Sequence, residues 1–287
     1  MELKKRIWIV GRSGRLGAAL ENLLVHNRDR FEVLSTDVDD LNILDAQAVE
    51  RYAERNRPDI IVNCAAYSNR GWCEEHVEET YALHAIGARN LAIIANQIGA
   101  RIFYLSSDFV YDGTKTTPYT EFDTPNPQTV YGTSKRAGEM FVRTHCKEHT
   151  ILRTSWLYGK KMLNEFIDSA RKDGKVITGQ PIIGTPTSSL ALAETILRFF
   201  DLSEYGTFHI SCEGECSLEE FIREVLRLAG SDAPVETGGT PTNFERLRPR
   251  YSVLDNFMLR ITGNQPVPHW KEALARFMKE RKVGGVR

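Results

Sequence analysis

The chain has 287 residues, 41% hydrophobic and 26% charged, an ordinary globular composition with enough chain for one large or two modest domains. Its 37 basic and 38 acidic side chains leave a formal net charge of -1, which argues against nucleic acid as a partner because no broad positive field is present. No run approaches the roughly 18–20 apolar residues of a membrane span, and residues 7–10 are too short for a secretory signal core, so a cytoplasmic protein is expected. In chain order, residues 6–10 read as a strand that runs into three glycines, and 16–25 are apolar at helical spacing. A second strand at 31–35 ends at Thr36-Asp37, and 46–55 read as a helix stopped before Pro58. Residues 60–63 read as a buried strand, 74–97 as one long helix ended by Gly99, 101–106 as a strand, 131–145 as a helix and 150–154 as a strand. This alternation implies right-handed crossovers and an α/β fold: a Rossmann-like, doubly wound parallel sheet whose ligands sit at the carboxyl ends of the strands.

The second half is less regular. Residues 166–171 and 190–200 read as helices and 206–211 as a strand. Ser217, with Glu220 three residues on, forms a capping box that opens another helix. The Pro/Gly/Thr-rich stretch 233–251 reads as a loop over the site, 270–279 as a closing helix and the basic end 281–287 as frayed. The expected organisation is a dinucleotide-binding domain over 1–165, with 186–211 returning to it. A smaller, discontinuous carboxyl-terminal lobe for substrate takes 166–185 and 212–287. The five cysteines, Cys64, Cys73, Cys146, Cys212 and Cys216, form no paired framework. Cys212-x-x-x-Cys216 lacks a second His/Cys pair, so no metal site is assigned.

Three motifs carry chemistry. Gly11-x-x-Gly14-x-x-Gly17 lies between the first strand and the first helix. Lacking Cβ, these glycines let the chain turn tightly, with Arg12, Ser13, Arg15 and Leu16 in the same turn, and let a pyrophosphate approach the helix amino terminus. Asp37, at the end of the second strand, is placed to accept from a ribose hydroxyl and to repel a 2′-phosphate. Asp39 and Asp40 add to that repulsion, whereas Arg12 would pair a 2′-phosphate. NADH or NADPH is therefore expected, with a slight lean to NADH. Cys64, Ala65, Ala66 and Tyr67 follow the third strand, where small residues let a cofactor lie against the backbone.

Tyr131 and Lys135 are four apart on one helix and share a face. An ammonium beside a phenol stabilises the phenolate, so the tyrosine can give a proton to a carbonyl oxygen as hydride reaches carbon, while the lysine also bonds the nicotinamide ribose. Ser106, Ser107 and Asp108 end the preceding strand. Ser107 is placed to donate to the same oxygen, and Asp108 to orient it or bind a sugar hydroxyl. This combination reads as an oxidoreductase.

With these residues in hand, the chain resembles the extended short-chain dehydrogenase/reductases, and within them the dTDP-4-dehydrorhamnose reductase family. The resemblance covers nearly the whole chain and rests on the glycine turn, Arg57-Pro58-Asp59-Ile-Ile-Val-Asn63-Cys-Ala-Ala66 and Ala85-Ile-Gly-Ala-Arg89-Asn90. It continues through Ser106-Ser-Asp-Phe-Val-Tyr-Asp-Gly113, Tyr131-Gly-x-Ser-Lys135-x-x-Gly-Glu139, Arg153-Thr-Ser-Trp-Leu-Tyr-Gly159, Arg248-Pro249-x-x-Ser252 and Pro268-x-Trp270. It implies reduction of the C4 ketone of a dTDP-linked 6-deoxyhexose by NAD(P)H, with Ser107, Tyr131 and Lys135 catalytic. It assigns Asn42, Ile43, Ser106 and Ser155 to the cofactor, and Asp108, Phe109, Tyr111, Trp156 and Arg248 to the substrate; Trp72, in a stretch that departs from the family, is expected at the substrate as well. A guanidinium at Arg248 suits a diphosphate.

Related 4,6-dehydratases need an Asp-Glu pair after the strand-end hydroxyl. Phe109 follows Asp108 here, so dehydration is disfavoured. The chain departs from the family's pattern at Asn69-Arg70-Gly71-Trp72-Cys73-Glu74, at His84, at Asn42 and in the 179–187 loop. These departures leave open the same chemistry on another nucleotide sugar or a non-sugar ketone. A dinucleotide-binding regulatory subunit without turnover is a further alternative, and a homodimer is compatible with the resemblance.

Overall fold

The computed structural model describes residues 4–241 and 244–283, the side chains of 281–283 excepted. Strands β1 (Lys5–Val10), β2 (Phe31–Thr36), β3 (Ile60–Asn63), β4 (Arg101–Ser107), β5 (His149–Thr154) and the strand Gly206–His209 form one sheet, all pairs parallel. Their order is β2-β1-β3-β4-β5 followed by Gly206–His209, so the direction of winding reverses between β1 and β3. The expected doubly wound sheet is present.

The sheet is covered on both faces, which its sequence dictates. In β1 the alternating pairs Ile7/Ile9 and Trp8/Val10 are all buried, one pair in each of two core clusters. Helices α1 (Arg15–Val25) and, later, Ser189–Phe199 pack on the Ile7/Ile9 side. Helix α2 (Ala46–Asn56) packs on the Trp8/Val10 side, started by the Asp45 side chain, which accepts from the Ala48 amide.

The long helix expected over 74–97 is divided. Helix α3 (Arg70–Glu75), capped by Asn69, and α4 (Val77–Tyr81) meet at His76, whose φ of -126° and ψ of 66° leave the helical region. A π-helical turn, Ala82–Gly87, then leads into α5 (Ala88–Ile98), which ends at Gly99 in the left-handed conformation. The π turn frees the His84 carbonyl to accept from the Tyr104 hydroxyl at 3.0 Å. An apolar periodicity near 3.6 registers such an inserted residue only as a small phase slip, so the sequence reads as one helix.

Helix α6 (Val130–His145) is opened by Thr129, whose hydroxyl accepts from the Gly132 amide at 3.0 Å. Helices α7 (Lys160–Asp173), longer than the expected 166–171, and α8 (Ser189–Phe199) follow, then α9 (Leu218–Ala229) with the capping box complete. Short helix α10 (Phe257–Ile261) and closing helix α11 (Trp270–Val283) end the described chain. The frayed end expected over 281–287 lies outside the described residues from 284 onward.

Ile183–Gly184 pairs with Cys216–Ser217 and with Tyr251–Ser252 in a separate small sheet. The stretch expected to be all loop, 233–251, contains the strand Val235–Thr237, paired with Val176–Thr178, and its residues 242–243 lie outside the description. No helix among the described residues is long and apolar enough to cross a membrane.

Candidate active site

The glycine turn occupies the point where the winding reverses, the place at which open α/β sheets take ligands. Gly11 has φ +84°, and a Cβ there would lie 2.9 Å from the Ala65 nitrogen, so this turn and the Cys64-Ala65 backbone touch. A Cβ on Gly17 would lie 2.1 Å from the Gly11 oxygen, which seats α1 directly on the turn. Gly14 caps α1 without a side-chain acceptor, leaving the first-turn N–H groups open toward a cleft of about 970 Å³. Ser13, Gly14, Arg15, Leu16, Cys64 and Ala66 line this end of the cleft. The cradle therefore fits a dinucleotide pyrophosphate.

Asp37 is already engaged: its Oδ2 accepts from the Ser13 amide at 3.0 Å and stands 3.8 Å from Arg12 Nε. Arg12 Nη2 lies 3.3 Å from Asp40 Oδ2. Two of the acids that sequence reading set against Arg12, Asp37 and Asp40, thus form one half-exposed ion cluster with it at the end of β2.

Tyr131, Lys135, Ser106, Ser107, Asp108 and Arg248 face the same cleft. Ser107 ends β4, and Tyr131 sits in the first turn of α6, with Lys135 one turn on. Ser107 Oγ donates to Asp108 Oδ1 at 2.7 Å and accepts from the Phe109 amide at 3.3 Å. Asp108 Oδ2 accepts from Ser155 Oγ at 3.1 Å and from Arg248 Nη1 at 3.0 Å. Asp108 is thus a buried hub that orients Ser107, Ser155 and Arg248 together. Arg248, expected to meet a substrate diphosphate, spends one nitrogen on Asp108 and another on the Phe244 carbonyl.

Burial raises the pKa of Tyr131, opposed first by Arg70 and then by the Ser107 hydroxyl and Arg248, with Asp108 adding to the rise. Lys135 is pushed down to about 7 by burial, against the pull of Glu139 and Cys64. Its Nζ lies 4.2 Å from the centre of the Tyr104 ring. Glu139, one turn beyond Lys135, ties α6 to the sheet. Its carboxylate accepts from Ser106 Oγ at 2.6 Å, from Arg153 Nε and Nη2 at 2.8 and 2.7 Å, and from Arg136 Nη1 at 2.8 Å.

Other expected site residues are elsewhere. Asn42 Oδ1 accepts from the Leu44 amide in a local turn, and Ile43 is buried with its carbonyl on Asn90. Tyr111 is buried away from the cleft, its hydroxyl bonded to Arg153 and His209. Phe109 is buried between guanidiniums, and Trp72 stacks on His76 at 4.2 Å and packs against Tyr67 at 4.4 Å. Neither Trp72 nor Tyr67 lines the cleft. Trp156 does, in the left-handed conformation at φ 43°, held by a bond from its Nε1 to Ser252 Oγ at 3.1 Å. Sequence reading gave no role to Glu139, Ser252 or Arg70. The first two stand in quoted motifs, and Glu139 shares the face of Tyr131 and Lys135, a signal that was available. Arg70 lies in a departing stretch with no pattern to mark it.

A family profile described as the RmlD substrate binding domain matches residues 5–283. The chain belongs to this family. It is 33% identical over 283 residues to the spore coat polysaccharide biosynthesis protein SpsK of Bacillus subtilis, covering 96% of this chain and 98% of that one. A dTDP-4-dehydrorhamnose reductase from Clostridium acetobutylicum superposes with a TM-score of 0.91 at 38% identity, over 96% of this chain and 99% of that one. One from Bacillus anthracis, solved in complex with NADP, gives 0.91 at 34% identity over 98% and 99%.

Proposed function

We propose that this chain is an NAD(P)H-dependent reductase of the C4 ketone of dTDP-4-dehydrorhamnose, with Tyr131 as proton donor. The observation that carries the reading is the convergence of Ser107, Tyr131 and Lys135 on one cleft beside the glycine cradle, in a chain of this family. The relatives named as dTDP-4-dehydrorhamnose reductases support the substrate, and the one solved with NADP supports a nicotinamide dinucleotide. The six-stranded sheet and its helices would form the cofactor lobe, and the small sheet with α7, α9 and α11 the substrate lobe.

When bound, the dinucleotide supplies a hydride to the ketone carbon. Gly11, Gly14 and the α1 amides would hold its pyrophosphate, and Asp37 its adenosine ribose. Asp37 and Asp40 together neutralise Arg12, the one base grouped with them, and this supports NADH over NADPH. Tyr131 gives its proton to the ketone oxygen, and Ser107 turns its hydroxyl from Asp108 to donate to the same oxygen. Lys135 would bond the nicotinamide ribose. Phe109 stands where a dehydratase needs a second carboxylate, so reduction ends the reaction. Trp72, which together with the 179–187 loop motivated the alternative of a different ketone, packs outside the cleft.

The test is consumption of NADH and of NADPH with dTDP-4-keto-6-deoxy-L-lyxo-hexulose generated in place. Tyr131→Phe should lose about 10²- to 10⁴-fold in kcat while binding the dinucleotide normally. Full turnover by the variant would remove Tyr131 from the chemistry. Absence of turnover by the unsubstituted chain, with tight dinucleotide binding, would exclude this ketone.

A further inference from the structure

Arg70 opens α3 and lines the cleft. Its guanidinium lies 4.8 Å from the centre of the Phe109 ring and 5.7 Å from that of Tyr131. Its Nε is buried and has no hydrogen-bond partner. Among the described residues it forms no ion pair, and after Tyr131 the groups that favour its charge are Asp108 and Cys73. Burial works against that charge, and Tyr131 is the first group that favours it.

The other charges around Tyr131 are differently committed. From the loop over the site, Arg248 is paired with Asp108 at 3.0 Å. From the end of β4, Asp108 itself opposes ionisation of the phenol, while Ser107 eases it. From the π turn, His84 meets the Tyr131 ring edge-on at 5.5 Å; its Nε2 accepts from the Tyr67 amide, and burial keeps it neutral. On α6 itself, Lys135 points at Tyr104, and burial weakens its charge near neutral pH. Cys73 of α3 packs beside the ring, and Arg15 of α1 repels Arg70 and Arg248.

We propose that Arg70 is a positioning residue of this site: its unpaired guanidinium, lying against the Tyr131 ring, supplies the positive charge that the phenolate meets once the hydroxyl has given up its proton. The Tyr-x-x-x-Lys spacing assigns that work to Lys135. The proposal rests on the reductase reading for its kinetic consequence, but its electrostatic core needs no substrate. A cation on an aromatic face interacts more strongly as negative charge builds in the ring. Loss of Arg70 therefore makes Tyr131 a weaker acid, so kcat for reduction falls and its alkaline limb moves to higher pH.

The test places a ring-fluorinated tyrosine at 131 and follows its ionisation by ¹⁹F NMR in the unsubstituted chain, Arg70→Met and Arg70→Lys. The expected result is a midpoint about one pH unit higher in Arg70→Met, partly restored in Arg70→Lys. Should Arg70→Met not fold, Arg70→Gln carries the same comparison. An unmoved midpoint overturns the proposal, whatever the enzyme turns over. Kinetically, Arg70→Met should lower kcat about tenfold with the natural tyrosine and have no further effect in Tyr131→Phe. An equal loss in both backgrounds would make Arg70 a substrate contact and overturn the proposal.

Discussion

Replacing Gly17 by Ala tests the cradle. In an exposed helix this change is favourable by about 1 kcal/mol, because Ala is the better helix former. Here the new methyl would lie 2.1 Å from the Gly11 oxygen and 2.9 Å from the Arg12 Cα, both backbone atoms that cannot rotate away. Ordinary contact begins near 3.4 Å, so α1 must lift off the turn by more than 1 Å. Overpacking of that kind costs about 1–3 kcal/mol, which outweighs the propensity gain in all but the mildest case. The larger effect falls on binding. The amides of α1 and the turn must address the same pyrophosphate, and an error of about 1 Å at a positioned site costs on the order of a hundredfold. Gly17→Ala should therefore fold with a modestly lowered Tm and bind NADH and NADPH some 10- to 100-fold more weakly by fluorescence titration. Gly14→Ala, whose methyl would stand 3.2 Å from the Gly11 oxygen and meet nothing else, should lose far less. Equal, undiminished binding by both variants would refute the placement of the dinucleotide on this turn.

Glu139→Gln leaves the buried Arg153 without its charge partner and should cost about 3–5 kcal/mol in urea unfolding; a loss under about 1 kcal/mol would show that the network is slack. Burial opposes ionisation of Glu139, but Arg153 and the hydroxyl of Ser106 outweigh it and hold its pKa below the ordinary glutamate value. Its stabilisation is thus fully present above about pH 4.3 and is lost as pH falls through the lowered folded value, a loss that Glu139→Gln should no longer show. Asp37→Ala should raise the preference for NADPH by freeing Arg12 from one of its two acids, and Arg12→Ala should lower it; steady-state KM ratios for the two coenzymes decide, and unchanged ratios would place the 2′ position elsewhere.

The doubly wound sheet, its helices, the carboxyl-end placement of Gly11 and Ser107 and the helical placement of Tyr131 were legible in the sequence because they depend on local periodicity and on residues with special backbone freedom. The same holds for the capping box at Ser217 and Glu220, whose partners lie three residues apart. The π turn within residues 74–97 was not legible, because the His84 carbonyl it frees is taken by Tyr104, a contact from another element. Nor could spacing reveal that Asn42 and Tyr111 turn away from the cleft while Glu139 anchors α6. Tyr131 and Lys135 are placed by an i, i+4 rule, whereas the charge against the phenol comes from Arg70, 61 positions earlier in the chain. The sequence alone determined which chemical groups are present and which share an element. Tertiary structure decided which charges are paired off and which remain to act on Tyr131, because that choice depends on burial and on partners brought together from distant segments.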